Sequence, residues 1–267
     1  MLPTLWYEKE EGYKLAPAQG EKVFTDALGN RYVRHDAITD CAIAVFREAY
    51  PLAFSTRKLK DGPKKLTKED VFYYIYGILH SPEYRKRFDT NLQKELPRIP
   101  LAEAFEAFSR AGRALADLHV NYESVEPWAQ LECTILPSMD PGPVTKLAWG
   151  KKRDPETKKL VPDRTRMVYS KDIVISNIPP QVNDYKVNGR SPLEWMIDRY
   201  KKTTDKKTGI VNDPNEYSDN SRYILDLIGR LVTVSMRTLD IIHNLPPLHE
   251  KGHTSNWPVE WTVKQNG

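Results

Sequence analysis

The sequence predicts an α+β protein with a helix-rich N-terminal half, a β-hairpin-rich middle and a C-terminal helix that packs back. Between residues 36 and 120, apolar residues recur at spacings of three and four, which is typical of amphipathic helices. Between residues 144 and 187, short strand-like runs are separated by turn residues, which indicates hairpins. The helical spacing returns from Ser221 to His243. Helices followed by hairpins favour an α+β arrangement over alternating βαβ units.

The first elements follow from local signals in chain order. Residues 23–25 and 31–33 are strand-like and flank Asp26-Ala-Leu-Gly-Asn30, which predicts a hairpin loop with Gly29 at positive φ. Asp36 is predicted to cap a helix that ends near Ala49. Thr67 and Asp70 have the spacing of a capping box, so a helix is expected to begin there. Its body, residues 71–79, is apolar on nearly every side, which predicts burial against several neighbours.

A second set of signals marks a strand-to-helix joint at residues 185–200. Tyr185 and Val187 alternate with polar residues, which predicts a short strand, and Asn188-Gly189 is a turn dipeptide. Ser191, Pro192 and Glu194 then read as a capping box with proline at the first helical position. Arg190 is expected on the exposed edge of this joint, where it would hold a phosphate or form a salt bridge.

The chain of 267 residues is long enough for a sizeable core. We expect one domain over residues 1–267, either undivided or as two lobes. The lobes would be a mainly helical 1–126 and a β-rich 127–248 with helices, followed by a tail at 249–267. The longest apolar run has nine residues, far short of the roughly 20 that span a membrane. Cys41 and Cys133 lie in apolar surroundings and are predicted to be reduced core residues. A cytoplasmic protein without a membrane partner is therefore expected.

Signals of catalysis in the sequence are weak. It contains no phosphate-binding Walker loop, no His-Glu-x-x-His, no Cys-x-x-Cys and no Gly-x-Ser-x-Gly. His80 and His119 each end an apolar helix, where they would complement the helix dipole. We therefore expect this chain to have no catalytic residue, no metal ligand and no cofactor of its own.

Positive charge is concentrated in loops. The net charge is +4, and residues 146–171 contain nine basic residues against three acidic ones. On hairpin tips such a segment could follow a phosphate backbone or enter a groove. Arg153, Arg164 and Arg166 are the preferred candidates for groove contacts. The alternative for each single cluster is a solvated lysine-rich surface. The full set of candidate DNA-binding residues is Lys64, Lys65, Lys151, Lys152, Arg153, Lys158, Lys159, Arg164, Arg166 and Arg190.

Several long blocks, taken in order, resemble a known family. They are Arg34-His-Asp-Ala-Ile-Thr-Asp40, Glu69-Asp-Val-Phe-Tyr-Tyr-Ile-Tyr-Gly-Ile-Leu-His-Ser-Pro-Glu-Tyr-Arg-Lys-Arg-Phe88, Leu96-Pro-Arg-Ile-Pro-Leu101, Ala114-Leu-Ala-Asp-Leu-His-Val-Asn-Tyr122, Tyr185-Lys-Val-Asn-Gly-Arg-Ser-Pro-Leu-Glu-Trp195, Thr208-Gly-Ile-Val-Asn-Asp-Pro-Asn215 and Val232-Thr-Val-Ser235. Together they resemble the C-terminal specificity domain of Type ISP restriction-modification enzymes and related helicase-methyltransferase proteins. The resemblance covers about residues 30–248.

This resemblance implies a target-recognition role in phage defence. It implies that the chain binds a short sequence of double-stranded DNA and presents it to an N6-adenine methyltransferase domain. S-adenosylmethionine, ATP and Mg²⁺ would belong to the methyltransferase, helicase-like and nuclease domains, none of whose signatures this chain carries. The alternative is a protein-docking module that bridges methyltransferase and ATPase domains without reading DNA. In that case residues 71–79 and the 185–200 joint would form its interface.

Overall fold

The computed structural model describes residues 5–9, 22–51, 58–59, 62–63, 66–144 and 147–251. The chain divides into two compact units. The first unit is Met1–Arg113 with Leu245–Gly267, and the second is Ala114–Asn244. Whether the whole chain works as one recognition domain, and whether lobes separate at residue 126, stay predictions.

The first unit begins with a small antiparallel sheet and continues with helices. Its elements are β1 (Leu5–Lys9), β2 (Lys22–Thr25), β3 (Arg31–Asp36), α1 (Asp40–Ala49), β4 (Lys58–Leu59), β5 (Gly62–Pro63), α2 (Lys68–His80), α3 (Pro82–Leu92) and the first half of α4 (Phe105–Val120). The sheet has the order β1-β3-β2, and β4 pairs with β5. The capping box at Thr67 and Asp70 is confirmed at the start of α2.

Buried aromatic rings form the core of the first unit. The Tyr74 ring stacks on Phe105 with 4.8 Å between centroids, and Tyr50 lies 4.8 Å from the same ring. The hydroxyls are satisfied, as buried polar groups must be. Tyr74 Oη donates to the Pro100 carbonyl (2.6 Å) and accepts from the Ala102 amide (2.7 Å). These bonds fasten the extended segment before α4 to the helical core.

Helices α2 and α4 approach closely because two glycines face each other's backbone. A Cβ on Gly112 would overlap the carbonyl oxygen of Tyr73, and a Cβ on Gly77 would overlap that of Phe108. Glycine is therefore required at both positions for contact between the helix backbones, whatever its cost in helix propensity.

The second unit combines a four-stranded antiparallel sheet with helices. Its elements are the second half of α4, β6 (Glu132–Cys133), β7 (Ala148–Arg153), β8 (Leu160–Val168), β9 (Val174–Ser176), a 3-10 turn (Pro180–Asn183), α5 (Pro192–Arg199), β10 (Thr203–Thr204), β11 (Val211–Asn212), a 3-10 turn (Pro214–Glu216) and α6 (Tyr223–His243). The sheet has the order β6-β9-β8-β7, and β10 pairs with β11 as a separate hairpin.

The core of the second unit lies between this sheet and the helices. Met167 and Ile175 from the sheet, Leu193 from α5, and Leu227 and Ile228 from α6 are all buried in one cluster. The α+β prediction is confirmed, including the C-terminal helix that packs back. No helix in the described ranges is both long and apolar enough to cross a membrane.

Three local predictions were wrong. Helix α1 is capped by Thr39, whose side chain accepts from the Ala42 amide, and Asp36 belongs to β3. The strand at 185–187 is reduced to a single bridge between Val187 and Arg190. That bridge closes the predicted Asn188-Gly189 turn, in which both residues have positive φ. Cys133 is exposed because it lies on the short edge strand β6.

Replacing Gly112 with alanine is expected to lower the free energy of unfolding by about 2–3 kcal/mol, because the added Cβ forces α2 and α4 apart. Urea denaturation followed by far-UV circular dichroism measures the change. Arg110→Ala, at an exposed position of the same helix, is the matched control and should change it by less than about 0.5 kcal/mol. Equal stability of the Gly112→Ala variant and the wild type would contradict the close helix contact.

Candidate nucleic-acid interface

Strands β7 and β8 form a long hairpin whose outer end carries most of the predicted site. Lys151 lies opposite Pro162, Lys152 opposite Val161, and Arg153 opposite Leu160. A loop of six residues, Asp154 to Lys159, connects the strands beyond this pairing. We call the seven cations of this hairpin the basic ribbon: Lys151, Lys152, Arg153, Lys158, Lys159, Arg164 and Arg166.

The tip of this hairpin is held by one carboxylate. Asp154 Oδ1 accepts from the Thr157 amide (2.7 Å), the Thr157 hydroxyl (2.9 Å) and the Glu156 amide (3.1 Å). The bond from the Thr157 amide is the main cause that holds the pKa of Asp154 below its ordinary value, and the charge of Lys152 adds to it. The carboxylate is thus committed to the turn, while Lys158 and Lys159 are exposed beside it.

The strands of the hairpin present cations on both faces. Along β8, exposed and half-buried residues alternate up to Arg166, and the exposed set includes Arg164 and Arg166. Lys151, Lys152 and Arg153 on β7 are all exposed. Since residues directly opposite each other in an antiparallel pair share a face, Lys151 and Arg153 lie on the face of Leu160 and Pro162, and Lys152 lies on the other.

A bulge in β8 shapes the base of the ribbon. The pairing shifts between Trp149 and Gly150, so that residues 164–166 have no partner on β7. A Cβ on Gly150 would lie 2.9 Å from the Cβ of Arg166, so glycine is needed for the strands to remain this close. Bulges re-aim side chains, and this one displays two arginines.

Arg164 is attached to the start of α5. Its guanidinium forms an ion pair with Glu194 Oε1 at 2.7 Å. The other oxygen of Glu194 accepts from the Ser191 amide (2.9 Å), and the Ser191 hydroxyl accepts from the Glu194 amide (3.3 Å). This is the predicted capping box, which is confirmed. Arg164 therefore joins β8 to α5, and half of its side chain remains exposed.

Arg190 is engaged within the joint. Its guanidinium lies 3.3 Å from Asp198 Oδ2 and 5.1 Å from the centre of the Trp195 ring. Trp195 is itself fixed, because its indole N–H donates to the Val187 carbonyl at 2.8 Å. Lys201 is the main cause of the lowered pKa of Asp198, with Arg190 contributing. Of the two roles considered for Arg190, the salt bridge is present in this structure.

The structure thus brings seven of the ten predicted residues onto one hairpin, while Arg190 lies in the joint. Lys64 and Lys65 fall outside the described residues. DNA contact by each of the ten stays a prediction. Sequence reasoning left Lys206 and Lys207 out of the site, although they are exposed at the tip of the β10–β11 hairpin. The pattern Asp205-x-x-Thr208, which repeats Asp154-x-x-Thr157, could have pointed to this second hairpin.

Potential metal ligands are not clustered in the part of the chain that the structure describes. No group of three or more potential metal ligands is found there. His119 Nε2 lies 2.9 Å from the Thr238 hydroxyl, and His80 Nδ1 lies 2.8 Å from the Tyr76 carbonyl oxygen. Burial lowers the pKa of His80. Both rings serve helix contacts.

Most of the chain matches the model of one protein family. The model of the Type ISP C-terminal specificity domain matches residues 1–227. The chain belongs to this family. A search of curated proteins gave no match.

Three solved structures are similar to this specificity domain. A nuclease-deletion mutant of the Type ISP restriction-modification enzyme LlaGI, in complex with a DNA substrate mimic, is 42% identical over 72% of this chain, with a TM-score of 0.61. The ATP-dependent Type ISP enzyme LlaBIII bound to DNA is 32% identical over 94%, with a TM-score of 0.68. The DrdV–DNA complex is 28% identical over 83%, with a TM-score of 0.61. The match spans 15%, 14% and 22% of those chains, respectively.

Replacing Asp154 with alanine is expected to loosen the hairpin tip and speed amide hydrogen exchange at Thr157, as measured by NMR. Glu156→Ala is the matched control, because the Glu156 side chain is exposed and takes no part in the turn bonds. The lowered pKa of Asp154 also gives a pH dependence. Its stabilising effect is present above its unfolded pKa of about 4 and is lost as pH falls through the lower folded pKa. Unchanged protection in the Asp154→Ala variant would contradict the role of this carboxylate.

Proposed function

We propose that this specificity domain is a DNA target-recognition domain that binds duplex DNA through the basic ribbon. The observation that carries the proposal is that all seven of those cations are exposed and that most of them are not neutralised by an ion pair. Among the residues that the structure describes, only Arg164 of the ribbon forms an ion pair. A hairpin that exposes this many unneutralised positive charges has a strong electrostatic attraction to a polyanion.

Duplex DNA fits the shape of the ribbon as well as its charge. A two-stranded β-ribbon is narrow enough to enter the major groove, where each base pair presents a distinct pattern of donors and acceptors. The lysines at the tip and on β7 would contact phosphates, which fix register and orientation. Arg166, on the bulge, has the bidentate donor geometry that reads guanine. Arg153 now bonds the Lys158 carbonyl and Arg164 now pairs with Glu194. Both arginines would approach the same groove if they released these partners and bound DNA instead.

The proposed role separates recognition from chemistry. The similar enzymes LlaGI, LlaBIII and DrdV were each determined with DNA or a DNA mimic, which supports DNA as the partner of this domain. In this proposal the domain presents the target to a methyltransferase domain and works beside a helicase-like domain. S-adenosylmethionine, ATP and Mg²⁺ would be bound by those domains, and this chain would have no catalytic residue.

The docking alternative has less support. It needs residues 71–79 and the 185–200 joint to be available to a partner. Within residues 71–79, Val71, Tyr74 and Ile78 are fully buried in the core of the first unit, so that side of α2 already stabilises the fold.

Replacing Lys151, Lys152 and Arg153 together with alanine is expected to weaken binding to random-sequence duplex DNA by roughly 100-fold at low salt, because three positive charges that attract the DNA are lost. A fluorescence-anisotropy titration across a salt series measures the affinity. The slope of log affinity against log salt should become shallower by about 2 to 3.

The matched control removes three exposed positive charges from the first unit, with Lys86, Lys94 and Arg110 changed to alanine. Its net charge equals that of the ribbon variant, so a difference between the two isolates position from charge. No binding of the wild-type chain even at low salt would refute the proposed function. Equal losses in both variants would refute the ribbon as the interface.

Arg166→Ala is expected to relax sequence choice, because an arginine that reads a base contributes roughly 10- to 100-fold discrimination at that position. Selection of bound sites from a random library, with the wild type and the variant compared, measures this. Lys159→Ala is the control and should weaken binding to all sequences alike. A preserved consensus in the Arg166→Ala selection would remove Arg166 from base readout.

A further inference from the structure

Three hairpins of this chain are closed by an aspartate at the start of the loop. In the first, Asp26 Oδ1 accepts from the Leu28 and Asn30 amides. In the second and third, Asp154 and Asp205 accept from the threonine three residues on. Each loop also needs one residue in the left-handed region of backbone space.

That left-handed residue differs among the hairpins. It is Gly29 in the first, with φ 83°, and Gly209 in the third, with φ 72°. In the hairpin of the basic ribbon it is Lys158, with φ 56°. Glycine adopts this conformation without steric cost, whereas an L-residue with a Cβ does not.

The second and third hairpins are otherwise the same turn. The Asp154 amide donates to the Lys159 carbonyl at 2.9 Å, and the Asp205 amide donates to the Ile210 carbonyl at 2.9 Å. Each aspartate accepts from its threonine amide at 2.7 Å and its threonine hydroxyl at 2.9 Å. Since the surrounding bonds match, the lysine is not required by the geometry of the turn.

No local bond of the Lys158 side chain among the described residues offsets the cost of its left-handed backbone conformation. Asparagine and aspartate tolerate this conformation through side-chain bonds to the backbone, which lysine does not make. The backbone of Lys158 makes two hydrogen bonds: its amide donates to the Asp154 carbonyl at 3.0 Å, and its carbonyl accepts from the Arg153 guanidinium at 3.3 Å. A glycine would keep both. The Lys158 side chain is exposed, so burial of the side chain does not offset the strain.

We propose that Lys158 occupies this strained position because its ammonium group binds a phosphate of the DNA backbone. The inference rests on the proposed function, in which the basic ribbon binds duplex DNA. The Asp154 turn fixes the backbone from which the side chain extends, so the cation is presented on a rigid tip next to Lys159. A preorganised support reduces the ordering cost of binding, which offsets the strain.

The test is Lys158→Gly in the whole chain, measured for stability and for binding to random-sequence duplex DNA. Because glycine suits the turn, the melting temperature should be unchanged or higher by about 2 °C. The affinity at low salt should nevertheless fall by about tenfold, and the salt slope should become shallower by about 0.9. Lys94→Gly, at an exposed turn of the first unit, removes the same charge and should leave the affinity within about twofold.

Each outcome is decisive. Wild-type affinity and slope in the Lys158→Gly variant would overturn the role of Lys158 while leaving the proposed function intact. A weaker affinity with an unchanged salt slope would overturn the phosphate contact. A melting temperature lower by several degrees would overturn the strain argument, because lysine would then stabilise the turn. Absence of DNA binding by the wild-type chain would instead refute the proposed function itself.

Discussion

The carboxylate of Glu194 connects the two kinds of structure in the second unit. One oxygen completes the capping box that starts α5, and the other pairs with Arg164 on the bulge of β8. Glu194 is well shielded from solvent, with 22% of its side chain exposed, so both interactions are stronger than they would be on an open surface. The base of the basic ribbon is thereby attached to a helix whose Leu193 and Met196 lie in the core. A ribbon that must present cations at defined positions depends on such an anchor.

Two aspartates of the β7–β8 hairpin form hydrogen bonds within the hairpin, so the cations of the basic ribbon remain exposed. Asp154 holds the tip, and Asp163 accepts from the Thr165 hydroxyl at 2.7 Å and the Thr165 amide at 3.1 Å. The Thr165 hydroxyl is the main cause of the lowered pKa of Asp163. Both carboxylates therefore satisfy the backbone, which also rigidifies the hairpin, and neither forms an ion pair with the ribbon among the described residues. Asp154 and Asp163 thus stabilise the hairpin and leave its positive charges available to a ligand.

Local sequence signals predicted the structure correctly where the residue types involved strongly favour one conformation. The capping boxes at Thr67 and Ser191 and the Asn188-Gly189 turn were predicted and found. The errors arose where pairing with another part of the chain decides the conformation. Asp36 was taken for a helix cap, but β1 pairs with β3 from Tyr32 to Asp36 and so extends the strand through that residue. The alternation at Tyr185 and Val187 suited a strand, but within the described ranges no strand lies beside it to complete a ladder.

The sequence by itself determined the α+β class, the family and the segment in which positive charge is concentrated, because periodicity, long ordered blocks and composition are properties of the chain alone. Only the tertiary structure decided which cations are available. Arg164 and Arg190 look equivalent to Lys151 in sequence, but they meet Glu194 and Asp198 from elements that folding brings beside them. It also placed Lys158 at positive φ, because the register of β7 with β8 determines which loop residue must adopt the left-handed conformation. Ion pairs and strain depend on distances between residues, which a linear pattern does not contain.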